Sequence, residues 1–281
     1  MAKVYEALRR AEQERRRRSD DAARVVARLE WEPEVPAEAA APVPKESLWQ
    51  RMRSARDPDA AGDINKRRVS LLQPDSHVTE QFRALRGRID ALATPDRPLR
   101  TIAVASALPG EGKTTAAINL ALVTSLSVGR RVLLVDCDLR RPNVHRALGV
   151  QPEAGLAEVL AGDAELDQAI ARAEGADLDV LPVRSRPSNP SELLGSPDMA
   201  KLIAELASRY DRVILDTPAA LGLPDAKTVA DQCDGVVMVV RADSTRQEDV
   251  ETVLEVLDRR RVLGLVLNGT ASDQGRYGYA S

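Results

Sequence analysis

The residues best placed for chemistry lie in TIAVASALPGEGKTTAAINLALV, residues 101–123. An apolar run ends near Ser106. A loop of Ala107, Leu108, Pro109, Gly110, Glu111 and Gly112 follows, and Lys113, Thr114 and Thr115 open a helical pattern. The spacing matches G-x-x-x-x-G-K-[ST], with Ala107 in the first glycine position. Glycines in such a loop let successive backbone N–H groups turn inward around phosphate oxygens. The helix N-terminus adds partial positive charge. Lys113 supplies a mobile ammonium for terminal phosphates, and the Thr114 hydroxyl can ligate Mg²⁺. Pro109 to Thr115 therefore read as a cradle for the phosphates of ATP.

Acids stand where such a loop needs them. RVLLVDCDLRRP puts Asp136 at a strand end and Asp138 two residues on, and DRVILDTPAALG puts Asp216 at another strand end. Mg²⁺ keeps several waters and takes one or two carboxylates plus phosphate oxygens. Thr114, Asp138 and Asp216 form the expected metal set. Asn268, after the last apolar run, is the candidate for an adenine edge, with a turn asparagine as the alternative.

These groups need a rigid frame, and from Ser76 onward the pattern supplies one. Residues 77–92 read as an amphipathic helix. Strand-like runs follow at Thr101–Ser106, Arg131–Asp136, Leu178–Val183, Arg212–Asp216, Gly235–Arg241 and Val262–Leu267, separated by helical stretches. VLLVD and GVVMVV are nearly continuous apolar runs, the mark of strands covered on both faces. The expected fold is α/β: a three-layer α/β/α P-loop NTPase domain with a mostly parallel sheet. Ligands in such sheets bind at the carboxyl ends of the strands.

Composition narrows the classes. The 281 residues carry 40 Lys+Arg against 43 Asp+Glu, a net charge of −3, which argues against a strongly basic chain built for nucleic acid. Aromatics are 2%, too few for a base-stacking surface. Cys137 and Cys233 read as reduced thiols, and no apolar run reaches the roughly 18 residues of a membrane span. The chain reads as soluble and cytoplasmic. It divides into a basic amphipathic helix over 1–29, a Pro/Ala-rich and largely irregular linker over 30–75, the P-loop domain over 76–270, and a flexible tail over 271–281. Little regular structure is expected before Ser76.

Taken together, these motifs resemble the bacterial tyrosine kinases of the capsule and exopolysaccharide type, over about residues 76–281. ALPGEGKTT, VLLVDCDLRRP and VILDTP are similar to that family's three nucleotide motifs. PSNPSELLGS (residues 187–196) and VLGLVLNG resemble two further family segments. The resemblance implies a tyrosine kinase using ATP and Mg²⁺, with Lys113, Asp136, Asp138 and Asp216 as its catalytic residues. Asp136 is the first candidate for the base that takes the phenol proton, and Asp138 the second. Arg140 and Arg141 either contact the acceptor or a phosphate, or are solvated.

The ends of the domain carry two further signatures. Glu80, Arg83 and Arg86 form E-x-x-R-x-x-R along one helical face. In the family this motif mediates ring-like self-association, and the bland alternative is an intrahelical ion-pair row. Two of four tyrosines, Tyr277 and Tyr279, fall in the last five residues. In the family such a tail is autophosphorylated by a neighbouring subunit. The resemblance further implies protein tyrosine substrates and a separate transmembrane polysaccharide co-polymerase that activates the kinase and holds it at the inner membrane. The arm at 1–29 is the candidate contact. Two other readings are a partitioning ATPase and a non-catalytic nucleotide switch in polysaccharide assembly. The first is disfavoured by Leu108, which stands where partitioning ATPases carry a second lysine. The second has no need of the tail tyrosines.

Overall fold

The protein is described by a computed structural model over residues 68–270. The first strand, β1 (Thr101–Ser106), is buried along its whole length. Side chains alternate across a strand. Ile102 and Val104 accordingly enter one core, and Ala103 and Ala105 enter the other. The same split recurs in β2 (Val132–Asp136) and β5 (Arg212–Asp216), each buried throughout. Such strands require helices on both faces.

The sheet has seven strands in the order β3-β4-β2-β5-β1-β6-β7. Here β3 is Ala171–Arg172, β4 Asp179–Leu181, β6 Gly235–Arg241 and β7 Val262–Asn268. Every pairing is parallel except β3 with β4. From β1 the chain crosses to β2, later returns to place β5 between them, then moves to β6 on the far side of β1. The order reverses at β1, and the crevice at its carboxyl end is the expected ligand position.

Ten helices occur among the described residues. α1 (Val69–Leu72) and α2 (His77–Leu92) precede β1, and α3 (Lys113–Ser125) follows it. α2 starts where Ser76 accepts the Thr79 N–H, a side-chain cap. Its bounds match the expectation from the sequence. Phe82 and Leu85 pack against the core on the α3 side. α3 is buried at every residue from Ala116 to Ser125. A helix apolar on all sides needs cover on all sides. Here the sheet covers one side, and α1 and α2 cover the other.

α4 (Val144–Leu148), α5 (Leu156–Ala161) and α6 (Leu166–Ala169) lie between β2 and β3. α7 (Pro190–Leu194) and α8 (Pro197–Arg209) lie between β4 and β5. α9 (Asp225–Asp231) joins β5 to β6, and α10 (Gln247–Val256) joins β6 to β7.

One helical turn, α1, stands before Ser76, at the end of the segment read as a largely irregular linker. The Ser70 N–H donates to Asn119 Oδ1 of α3 at 2.8 Å, and Arg68 donates to the Ala147 carbonyl. The order of this stretch comes from α3 and α4 rather than from its own sequence. The strand expected at 178–183 shortens to Asp179–Leu181, and the two-residue antiparallel β3 had no pattern to announce it.

Candidate active site

The loop after β1 is held in shape by contacts within it and from distant segments. Gly110 (φ 82) and Gly112 (φ 98) adopt left-handed conformations that favour glycine. A Cβ at Gly112 would collide with the Asn268 side-chain amide. That amide donates to the Glu111 carbonyl at 2.9 Å. Arg241, at the end of β6, donates to the Gly110 carbonyl at 2.9 Å. Ser106 Oγ donates to the Leu108 carbonyl at 3.0 Å.

Helix α3 opens on Gly112 with no side-chain cap and no acid in its first turn. Its leading N–H groups are therefore left for an external acceptor, and the helix dipole favours an anion there. Lys113 is buried to 9% exposure, and its Nζ lies 3.6 Å from Asp138 Oδ2. Thr114 and Thr115 are half-buried.

The structure brings two of the acids onto neighbouring strand ends. Asp136 and Asp216 are register partners on β2 and β5. Asp136 is fully buried. Its Oδ1 accepts the Asp138 N–H at 3.1 Å, and its Oδ2 accepts the N–H groups of Asn143 and Val144 at 3.0 and 3.1 Å. Burial, then the charges of Asp216 and Asp138, push the Asp136 carboxyl well above the usual carboxylate range. Asp138 Oδ1 accepts the Arg141 N–H at 3.0 Å, leaving Oδ2 toward Lys113. Among the described residues no three His, Cys, Asp or Glu side chains form a closed metal cage. Carboxylates on adjacent strand ends instead suit an ion that keeps water and shares phosphate oxygens.

Arg140 is engaged rather than solvated. Its Nε donates to Asp225 Oδ2 at 2.7 Å and its Nη2 to Ser191 Oγ at 2.9 Å, while Ser191 Oγ donates to Asp225 Oδ1 at 2.6 Å. Asp225 is 1% exposed. This triangle ties the segment after β2 to α7 and α9.

The E-x-x-R-x-x-R residues divide. Glu80 and Arg83 pair with each other at the surface of α2. Arg86 turns inward and donates from Nη1 to the Val123 carbonyl at 2.6 Å and to Ser127 Oγ at 2.8 Å, at the carboxyl end of α3. Tyr277, Tyr279 and the arm at 1–29 lie outside the described residues. The sequence reading missed Arg241, Thr245, Ser191 and Asp225. Their partners are far along the chain, and a hydroxyl or arginine in a turn gives no periodic signal. For Ser191, the one available signal was the resemblance of the 187–196 segment.

A phosphate loop at the end of β1, an uncapped helix behind it and acids on neighbouring strand ends define a P-loop nucleotide-binding domain. The AAA domain family matches residues 99–262. Tyrosine-protein kinase YwqD of Bacillus subtilis (strain 168) is 38% identical over 214 residues, 75% of this chain and 90% of that protein. The succinoglycan biosynthesis transport protein ExoP of Rhizobium meliloti (strain 1021) is 35% identical over 216 residues, 75% of this chain but 27% of that longer protein. Among solved structures, the kinase domain of the Escherichia coli tyrosine kinase ETK superposes with a TM-score of 0.68 at 32% identity, covering 75% of this chain and 84% of its own. The chain belongs to the bacterial tyrosine kinases, P-loop enzymes that phosphorylate protein tyrosines, and it carries the AAA domain.

Proposed function

We propose that this chain is an ATP- and Mg²⁺-dependent protein-tyrosine autokinase that acts in trans on Tyr277 and Tyr279 within a homo-oligomer, in the synthesis and export of capsule or exopolysaccharide. The observation that carries the reading is Lys113 set against Asp138 at the open N-terminus of α3. Phosphoryl transfer demands mainly positioning and charge neutralisation. Lys113 and the free N–H groups of α3 hold the terminal phosphate oxygens. Thr114, Asp138 and Asp216 would hold Mg²⁺, which when bound neutralises charge on the transferring group. Asp136 is the proposed acceptor of the tyrosyl proton, ahead of Asp138. Asn268 braces the loop, and its place beside Gly112 supports a nucleotide-contacting role.

The Glu80–Arg83 pair, at the surface of α2, is the proposed point of self-association. No described helix is long and apolar enough to cross a membrane. A separate transmembrane co-polymerase, contacted through residues 1–29, is the proposed activator and inner-membrane anchor of a cytoplasmic kinase. ExoP, a transport protein of polysaccharide synthesis, supports that setting.

The test is intact-mass and phosphopeptide analysis of the full chain after incubation with ATP and Mg²⁺, beside Lys113→Met and the Tyr277→Phe/Tyr279→Phe double variant. Phosphate is expected on the tail tyrosines of the parent and absent from the Lys113 variant. Nucleotide binding without any phosphotyrosine would overturn the autokinase reading in favour of a nucleotide switch.

A further inference from the structure

One buried group inside the phosphate loop is unused by the proposed chemistry. Glu111 is 3% exposed, a carboxylate among the groups that must receive phosphate. Its Oε2 accepts the Leu108 N–H at 2.8 Å, across the loop. Its Oε1 accepts the Thr245 hydroxyl. Thr245 in turn accepts the Arg241 N–H at 2.9 Å. Thr245 stands in the turn between β6 and α10, where Asp243 has a left-handed backbone (φ 57). The result is one hydrogen-bonded chain from the end of β6, through Thr245 and Glu111, into the backbone of the loop. Burial raises the Glu111 carboxyl above its ordinary range, and the bonds from Leu108 and Thr245 pull it back. A buried carboxylate stays where its donors hold it, because leaving them means losing charge-assisted hydrogen bonds.

We infer that Thr245 is a positioning residue for the nucleotide site: through Glu111 it fixes the phosphate loop in its binding shape before the nucleotide arrives. The inference extends the kinase reading, since it names a residue outside the nucleotide motifs on which that site depends. Thr245 does not touch the reacting atoms. It donates its hydroxyl to Glu111 Oε1 and closes the turn by accepting from Arg241. Without it the carboxylate loses its outer anchor, Leu108 loses a fixed acceptor, and the loop samples shapes that cannot cradle phosphate. Binding to a loop that is seldom in its competent form is weakened by that fraction. The expected effect is on affinity, with turnover at saturating nucleotide little changed.

The experiment uses the full chain in three forms: parent, Thr245→Val, which keeps the shape and removes the hydroxyl, and Thr245→Ser, which restores it. Two readouts are taken. The first is amide hydrogen exchange of peptides covering residues 106–112 without nucleotide. The second is the dissociation constant for a fluorescent ADP analogue with Mg²⁺. Thr245→Val is expected to speed exchange in that peptide about tenfold, the scale of one hydrogen bond to a charged group, and to weaken binding by a smaller factor, set by the fraction of loop lost from its competent form. Thr245→Ser is expected to return both to within about twofold, and Thr245→Val is expected to add little to Glu111→Gln. Unchanged exchange in Thr245→Val, failure of serine to rescue, or full additivity with Glu111→Gln would each overturn the inference. The exchange readout needs neither nucleotide nor kinase activity, so it separates failure of this inference from failure of the kinase reading.

Discussion

Gly112→Ala is the sharpest probe of the phosphate cradle. Gly112 sits at φ 98 and ψ 16 as the residue before α3. For an alanine, that left-handed conformation costs about 1–2 kcal/mol. The new Cβ also collides with the Asn268 amide, which now donates to the Glu111 carbonyl at 2.9 Å. Displacing Asn268 forfeits that bond, worth about 0.5–1.5 kcal/mol. The total is about 1.5–3.5 kcal/mol, shared between lower stability and weaker binding. If the loop keeps its shape the loss appears in urea denaturation. If it relaxes, the loss appears in nucleotide affinity, at most about 10- to 300-fold. Both quantities are therefore measured on the same protein, by denaturation and by titration with a fluorescent ATP analogue. Gly112→Ala/Asn268→Ala removes the collision but keeps the backbone strain, so it should fall short of the sum of the single effects. An alanine variant that binds within twofold of the parent and melts at the same temperature would refute the reasoning.

The division of the α2 motif predicts opposite phenotypes. Arg86→Ala removes the donor at the carboxyl end of α3 and should cost about 1–2 kcal/mol, a fall in Tm of a few degrees; Arg83→Ala should leave Tm unchanged and lower self-association in analytical ultracentrifugation. Asp225→Ala leaves Arg140 and the Ser191 hydroxyl without their acceptor. A loss of about 2–3 kcal/mol is expected by urea denaturation, below the range of about 3–5 kcal/mol for a broken buried pair because the Arg140 side chain is 36% exposed. Tyr210, 7% exposed and donating to Asp179 Oδ2 at 3.0 Å, is no phosphoacceptor, and no phosphate should map to it. Burial, and then the bond to Asp179, raise its phenol to about 12. The folded state thus holds this proton more tightly than the unfolded one. Its contribution is complete below the ordinary phenol value near 10 and is lost as pH rises to about 12. Tyr210→Phe should flatten the fall in stability across that window and remove the late step in phenolate absorbance.

What was legible in the sequence was what repeats or follows a fixed spacing. The phosphate loop could be read because its residues are consecutive and its geometry is local. The 77–92 helix could be read because Ser76 caps it and its apolar residues recur at helical spacing. The strands β1, β2, β5 and β6 could be read because burial on both faces leaves unbroken apolar runs. The contacts that hold the loop were not legible. Thr245 reaches Glu111 across 134 residues, and Asn268 reaches it across 157. Helix α1 is ordered by Asn119 on α3, a partner its own sequence does not reveal. The triangle of Arg140, Ser191 and Asp225 likewise joins three elements that only the fold brings together.

That triangle also gives a physical reason for a segment the sequence offered only by resemblance. PSNPSELL contributes Ser191 to the triangle. Ser191 and Asp225 fix Arg140, which leaves the backbone two residues after Asp138, so the loop that aims Asp138 at Lys113 is pinned from outside. The acids themselves show why such pinning is needed. Asp136 and Asp216 are register partners at the ends of two buried strands, and their like charges raise the free energy of the folded chain. A sequence selected for stability alone would place apolar residues there. Local conflicts of this kind concentrate at functional sites. Here backbone donors hold Asp136, while Lys113 and the Arg140 anchor set the position of Asp138, so each acid is oriented by its own partners.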